Sequence, residues 1–382
     1  MILVGSPFFI VAVIFTVLFF CLKKKIKGAV FKVVSINAIA IFFIAALFDS
    51  AAALLFSHAD SFRVSDNFYH HGLKPMTVQR TSWKSDGASY YTVATNSLGF
   101  VDAYPRVVPL KKSGKRVLFL GDSFMEGVGY PWDQTAAGII SKRYAEQGVE
   151  LLNGSVISYS PKIHYLKLKH FLDMGLEIDE LYLFIDTSDI IDDFVYDYFV
   201  PKEFSKFEQR FQSVTNFYLK GSYFVRSIRK NYYDSQVNPY NEFSAFWGGL
   251  EGFYKMKPKW TYDEEAKKKY GEKGIALAIK HVDLIRELCE KNNIKLHIAV
   301  WPWLELLREN RARPQYDLWK GYTDKYNIDF ISLFEMYESM PIATAAGFFI
   351  KDDIHWNDRG NQIAADYIWD HIQKKTGGNN GG

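Results

Sequence analysis

The chain has 382 residues but only two cysteines, Cys21 and Cys289. This scarcity excludes a disulfide-dependent scaffold and a cysteine-rich metal site. Cys21 falls in an apolar N-terminal run and Cys289 in a predicted helix, so no disulfide is expected between them. The nine histidines are scattered along the chain and show no metal-ligand spacing. No metal or other cofactor is therefore predicted.

A strong excess of charge is also missing, because the formal net charge is only +3. Much of that excess comes from one cluster of four lysines at positions 23, 24, 25 and 27. No basic surface pattern remains that would favour a nucleic-acid partner. The length allows one large domain or two modest ones.

Two long apolar runs flank the lysine cluster, over residues 2–22 and 33–56. Each run is long enough to cross a bilayer, and the lysines between them are predicted to stay cytoplasmic. Residues 1–56 are therefore predicted to form a transmembrane helical hairpin, with the rest of the chain on the far side. The alternative is a signal peptide over residues 1–22. It fits less well, because the basic residues follow the apolar run and no small-residue cleavage site is present.

The remainder of the chain alternates apolar strand-like runs with helical patterns, which is typical of an α/β fold with a doubly wound parallel sheet. The predicted strands cover residues 116–120, 149–152, 181–185, 295–300 and 328–331. The predicted helices cover residues 133–147, 161–173, 263–292 and 358–374. Residues 57–90 are interpreted as a juxtamembrane lead-in, 91–376 as the main domain and 377–382 as a flexible tail.

One long stretch, residues 192–262, breaks this alternation and is dense in aromatic side chains. It is too long for a simple connection and too aromatic for disorder. We interpret it as an inserted cap of short helices over the edge of the sheet. Its aromatic residues could stack on sugars, or they could form a small helical core or a surface that lies on lipid.

Two short motifs carry the chemistry of the chain. Gly121-Asp122-Ser123 follows the buried strand at 116–120, so a serine is expected at the carboxyl tip of that strand. The second motif runs from Asp352 to His355 and precedes a C-terminal amphipathic helix. A serine, a histidine and an acid are the parts of a nucleophilic ester-cleaving site.

Together these motifs resemble those of the SGNH/GDSL serine hydrolase superfamily. In that family the nucleophile lies in a Gly-Asp-Ser motif, and the acid and base form an Asp-x-x-His motif near the C-terminus. The resemblance implies a flavodoxin-like three-layer fold with Ser123 as nucleophile and His355 as general base. By spacing it implies Asp352, and not Asp353, as the acid. Asp122 is expected to order the turn and not to react.

Two further family blocks, which supply the oxyanion hole, are altered here. The family glycine that offers a backbone N–H corresponds to Ser158, which keeps that N–H if serine tolerates the local φ. The family asparagine corresponds to Ser188, whose hydroxyl is expected to donate instead. The third expected donor is the N–H of Ser123 itself, and Asn153 is a possible support for the Ser158 loop.

Membrane-tethered, exported relatives commonly add or remove acetyl groups on cell-envelope polysaccharides. The resemblance thus implies an esterase or O-acyltransferase in the bacterial inner membrane, with its catalytic domain in the periplasm. An acylated carbohydrate is the expected substrate, and transfer would need a multi-span membrane protein that delivers the acyl group. The alternative is a degenerate scaffold that binds glycan or organises a membrane acylation complex without turnover. The altered oxyanion blocks favour that alternative.

Overall fold

A computed structural model of the chain describes residues 6–22, 28–55, 62–83, 90–201, 222–225, 227, 255–308 and 311–377. The chain divides into two compact units, one of Met1–Ser61 with Glu203–Phe243 and one of Phe62–Lys202 with Ser244–Gly382. The lysine cluster, most of the predicted aromatic insertion and nearly all of the predicted tail lie outside the described residues.

The first unit contains two apolar helices, α1 (Pro7–Leu22) and α2 (Ala29–Leu55). They run antiparallel, since Ser6 donates a 2.7 Å hydrogen bond to Asp49 and Phe15 stacks on Phe42. In α2, Lys32–Ala52 is long and apolar enough to cross a membrane, whereas α1 is shorter than a typical span. The helix pair agrees with the predicted hairpin, but membrane insertion of both helices stays a prediction.

The core of the second unit is a set of five parallel strands. In chain order they are β6 (Arg116–Leu120), β7 (Glu150–Asn153), β8 (Glu180–Ile185), β9 (Lys295–Val300) and β10 (Asp329–Ser332). All five predicted strands are confirmed within a residue or two. Their residues are almost continuously buried, as expected for parallel strands that are covered on both faces by helices.

The spatial order of these strands is β10-β9-β8-β6-β7, so the first strand, β6, lies between the second and the third. The chain therefore runs from β6 to β7 on one side and then crosses to β8, β9 and β10 on the other. Open α/β sheets bind their ligands at such a switch point, beyond the carboxyl ends of the strands. The serine motif follows directly from β6.

The sheet is mixed and not purely parallel, which corrects the predicted architecture. Three antiparallel strands extend it beyond β7, namely β5 (Val101–Asp102), β4 (Tyr90–Thr95) and β3 (Val78–Ser82). A separate hairpin pairs β1 (Arg63–Asp66) with β2 (His70–Leu73). Residues interpreted as a lead-in thus contribute strands to the same compact unit, because backbone pairing satisfies their polar groups.

Helices cover the sheet and place the loops of the site. They are α3 (Ser123–Glu126), α4 (Ala136–Glu146), α5 (Pro161–Asp173), α6 (Asp189–Val195), α7 (Glu264–Ala266), α8 (Glu272–Lys291), α9 (Leu304–Arg308), α10 (Arg313–Tyr326), α11 (Phe334–Glu338), α12 (Ile342–Ala346) and α13 (Asp358–Gly377). A π-helical segment, Lys267–Gly271, joins α7 to α8. The four predicted helices are confirmed, with shifts of a few residues at their ends.

Candidate active site

Ser123 stands where β6 turns sharply into the short helix α3. Gly121 permits this turn, because a Cβ atom there would lie 2.9 Å from Cβ of Phe184 and 3.0 Å from Cβ of Met125. Asp122 caps the helix by accepting a hydrogen bond of 3.0 Å from the backbone N–H of Phe124. The Ser123 side chain is therefore held at the carboxyl end of the central strand, and the residue is 6% exposed.

His355 meets this serine from the far end of the chain. Its Nε2 atom lies 2.7 Å from Oγ of Ser123, which is the contact predicted from the two motifs. The histidine ends a tight turn in which Ile350 N–H donates to the His355 carbonyl at 2.8 Å. The neighbouring Trp356 packs against Phe124, with ring centroids 5.0 Å apart. The imidazole of His355 is thus fixed between the turn and the core.

The acid is Asp353, so the assignment of Asp352 is wrong. Asp353 Oδ1 lies 2.6 Å from Nδ1 of His355 and also accepts the His355 backbone N–H at 3.0 Å. Asp352 has φ +61° and is exposed to solvent. This left-handed residue turns the chain so that the next side chain, and not its own, faces the imidazole. The sequence also contains the Asp-x-His spacing that Asp353 forms with His355, but the Asp-x-x-His pattern of the family favoured Asp352.

The indole of Trp83 completes the support of this carboxylate, and no motif in the sequence indicates that contact. Trp83 Nε1 donates a 2.8 Å hydrogen bond to Oδ2 of Asp353. Its ring stands edge-on to His355, with centroids 4.9 Å apart. Trp83 follows β3, within the segment interpreted as a lead-in. A lone tryptophan about 270 residues before its partner leaves no local pattern to detect.

These contacts keep Asp353 ionised. Burial alone would raise the pKa of its carboxyl, but the hydrogen bonds from His355 and from Trp83 lower it to about 2. Hydrogen bonds to a carboxylate favour its charged form. A charged Asp353 fixes the proton of His355 on Nδ1, so Nε2 is free to accept the proton of Ser123.

Two backbone N–H groups in this region have no acceptor among the described residues, those of Ser123 and Ser158. Ser158 adopts φ +59°, a left-handed conformation that glycine tolerates best. The role of these two N–H groups as oxyanion donors stays a prediction.

The predicted role of the Ser188 hydroxyl needs correction. Its Oγ atom donates to Oδ1 of Asp186 at 2.7 Å, and its backbone N–H donates to the same oxygen at 2.6 Å. A hydroxyl has a single proton to donate. Because that proton goes to Asp186, the structure does not make Ser188 an oxyanion donor.

Asn153 links the serine helix to the Ser158 loop. Its amide nitrogen donates to the Met125 carbonyl at 2.7 Å, and its side-chain oxygen accepts the Ser155 N–H at 3.2 Å. The residue is completely buried. These contacts suit the supporting role considered for Asn153.

Beneath the serine lies a buried acidic cluster of Asp122, Asp186 and Asp189, whose nearest oxygens lie within 4.8 Å of one another. Burial, followed by the charge of Asp186, raises the pKa of both Asp122 and Asp189 well above the ordinary range. Three buried carboxylates cannot all be ionised at such distances. The cluster therefore holds protons, and Asp122 serves the turn structurally.

The geometry of the site is that of a serine esterase: a hydroxyl, an imidazole and a carboxylate in one hydrogen-bonded chain. Comparison by sequence adds nothing to this assignment. No protein-family model matches the chain, and no curated protein matches it.

Several solved structures are similar to this chain at low identity. The psychrotrophic esterase EstA from Pseudoalteromonas sp. is 10% identical over 69% of this chain and 100% of its own, with a TM-score of 0.39. A GDSL-like lipase from Bacteroides thetaiotaomicron is 13% identical over 70% and 93%, with a TM-score of 0.38. The acetylxylan esterase Axe2 from Geobacillus stearothermophilus is 12% identical over 69% and 96%, with a TM-score of 0.38. Scores this low assign neither fold nor activity, so both rest on the geometry described above.

Proposed function

We propose that the protein is a membrane-anchored serine esterase or acyltransferase of the SGNH/GDSL type. It would act on acylated, most simply acetylated, carbohydrate of the cell envelope. One observation carries the proposal, the continuous chain from Ser123 Oγ through His355 to Asp353 at 2.7 and 2.6 Å. Such a chain is within the range needed for proton transfer during nucleophilic attack.

The reaction would proceed through an acyl-serine. As Ser123 Oγ attacks the ester carbonyl carbon, its proton passes to Nε2 of His355. The resulting oxyanion is held by the N–H groups of Ser123 and Ser158, while Asp353 stabilises the imidazolium. Collapse of the intermediate breaks the ester C–O bond, and His355 returns the proton to the leaving alcohol. Water or a sugar hydroxyl then takes the acyl group by the same steps in reverse order.

The membrane arrangement is part of the proposal. The α1–α2 pair would anchor the chain in the bacterial inner membrane, with the lysine cluster in the cytoplasm and the second unit in the periplasm. A multi-span membrane protein would deliver the acyl donor if the protein transfers and does not hydrolyse. Support comes from the apolar, lipid-compatible surface of α2, where Phe48 is 74% and Ile41 is 64% exposed.

The test uses the full chain in detergent micelles. We expect hydrolysis of 4-nitrophenyl acetate that is lost, to background, in Ser123→Ala. When a cell-envelope oligosaccharide is added, the products should include both free acetate and an acetylated sugar. The ratio of acetylated sugar to acetate measures transfer against hydrolysis. A wild-type rate equal to that of Ser123→Ala would reject the enzyme and favour the non-catalytic scaffold.

A further inference from the structure

The loop that carries Ser158 is clamped at the preceding residue, Ile157. The backbone N–H of Ile157 donates to Oε2 of Glu126 at 2.7 Å. Its carbonyl lies 2.8 Å from Nε2 of His71. Both backbone polar groups of Ile157 are thus held by side chains, and its carbonyl belongs to the same peptide unit as the proposed oxyanion donor, the N–H of Ser158.

Glu126 is itself held by an arginine from the β1–β2 hairpin. Arg63 makes a paired contact with it, Nη1 to Oε2 at 2.6 Å and Nη2 to Oε1. Glu126 is only 4% exposed, so an unpaired charge there would be costly. Two parallel N–H···O bonds fix the plane of the carboxylate as well as its position. The oxygen that receives the Ile157 N–H therefore has a defined place.

On the carbonyl side, a short chain of hydrogen bonds runs through two histidines. Nδ1 of His70 lies 2.8 Å from Nδ1 of His71, and Nε2 of His70 lies 3.2 Å from the hydroxyl of Tyr198. Burial lowers the pKa of His71 to about 3 and that of His70 to about 4. Both rings are consequently neutral at physiological pH.

Neutral rings allow only one arrangement of protons. The Ile157 carbonyl can only accept, so Nε2 of His71 must carry the proton and donate it. Nδ1 of His71 then accepts from Nδ1–H of His70, and Nε2 of His70 accepts from the Tyr198 hydroxyl. Every donor finds an acceptor, and the chain ends on the carbonyl of the oxyanion loop.

We propose that Glu126 and His71, with Arg63 behind Glu126, are positioning residues that aim the N–H of Ser158 at the oxyanion. The hairpin that follows the membrane segment would thereby complete the active site, although it lies outside the parallel sheet. This inference rests on the proposed function, because it assumes that Ser158 donates to an oxyanion. None of these side chains touches the reacting atoms.

The experiment compares Glu126→Ala with Glu150→Ala in the full chain in detergent. Glu150 is a matched control, since it also accepts from arginines, Arg106 and Arg116, each at 2.6 Å. It lies at the opposite end of β7 from the site. We expect Glu126→Ala to lower kcat for 4-nitrophenyl acetate about 10- to 100-fold with KM changed less than about threefold, in line with loss of part of an oxyanion interaction. Glu150→Ala should lower the melting temperature comparably and leave kcat unchanged.

Two further readouts separate positioning from general damage to the fold. A trifluoromethyl ketone forms a hemiketal whose oxyanion occupies the same hole, so its affinity should fall in Glu126→Ala by the same factor as kcat/KM. His71→Gln places an amide N–H near the position of Nε2 and should keep most of kcat. His71→Phe keeps the ring volume but cannot donate, and should lose about tenfold or more.

The inference is overturned if Glu126→Ala and Glu150→Ala lower kcat equally, or if His71→Gln and His71→Phe behave alike. It is also overturned if affinity for the ketone is unchanged while kcat falls. A wild-type rate no higher than that of Ser123→Ala would reject the proposed function itself, and this inference with it. A normal wild-type rate with active Glu126 and His71 variants would reject the positioning role alone.

Discussion

His355 Nδ1 lies 2.6 Å from Oδ1 of Asp353, while the adjacent Asp352 is exposed to solvent. Two neighbouring aspartates therefore have different roles, and the left-handed backbone of Asp352 separates them. We expect Asp353→Asn to lower kcat by about 1,000- to 10,000-fold, because the amide would hold the wrong imidazole tautomer. Asp352→Asn should stay within about twofold of the wild type.

Steady-state hydrolysis of an aryl acetate by both variants checks this pair. The substitution is the same at both positions, so each variant is the control for the other. A large loss in Asp352→Asn with an active Asp353→Asn would restore the original Asp-x-x-His assignment.

Trp83 donates to the second oxygen of Asp353, and Trp83→Phe keeps the aromatic ring while removing that donor. Loss of a hydrogen bond to a charged group costs about 1.5–3 kcal/mol, so kcat is expected to fall by no more than the equivalent factor, about 10- to 150-fold. The pKa of Asp353 should rise from about 2, because the lost donor favoured the charged form.

Single-turnover kinetics and a carboxyl titration of the variant by NMR would measure both effects. Trp369→Phe is the control. Trp369 lies in α13 and packs on Tyr144 of α4, and it makes no contact with the triad among those described. If the two phenylalanine variants have equal rates, the Trp83 hydrogen bond has no part in catalysis.

Ser158 occupies a backbone conformation that costs a non-glycine residue about 1–2 kcal/mol, with φ +59°. Ser158→Gly should therefore raise the free energy of unfolding by up to about 1 kcal/mol, because the relief of backbone strain exceeds the added freedom of the unfolded chain. Activity should be retained, because the proposed donor is a backbone N–H. Ser158→Ala keeps the backbone cost and should show no gain.

Chemical denaturation of these two variants gives the comparison, with esterase assays on the same samples. Ser158→Val is expected to lose both stability and rate, since a β-branched residue is poorly tolerated at positive φ. Equal stability of the glycine and alanine variants would contradict a strained serine.

Lys167 predicts a pH dependence of stability. It is 1% exposed, and burial lowers the pKa of its ammonium group to about 7, although the charges of Asp66 and Glu126 oppose this shift. The unfolded chain keeps a lysine pKa of about 10.4. Between pH 7 and 10 the unfolded state thus binds more protons than the folded state. The free energy of unfolding should rise with pH in this window, by up to about 1.4 kcal/mol per pH unit.

Unfolding in denaturant at pH 7.5, 8.5 and 9.5 measures that slope. Lys167→Met should lack the rise, whereas Lys320→Met, at a well-exposed position, should keep it. Parallel pH curves for the wild type and Lys167→Met would show that Lys167 stays charged when folded.

Much of the scaffold could be read from the amino-acid sequence. The apolar runs that became β6, β8 and β9 are buried on both faces, and such runs carry their own signal. Ser123 and His355 were also identified, because each lies in a short motif at the end of a recognisable element. These features depend on residues that are near one another in the chain.

The antiparallel strands β3 to β5 were missed because short strands at a sheet edge have weak periodicity and depend on their partners. Trp83 and Glu126 were missed for a related reason, since their partners lie 270 and 63 residues away. Such contacts exist only once the chain has folded.

The sequence alone therefore indicated the five parallel strands along the chain, the contact between Ser123 and His355, and the two apolar helices. The tertiary structure decided which aspartate serves the histidine, where the Ser188 proton goes and what holds the oxyanion loop. The physical reason is the direction of side chains. A single left-handed residue, Asp352, reorients the carboxylate that follows it. The indole of Trp83 finds its acceptor only through a contact of about 3 Å between segments that are remote in the chain.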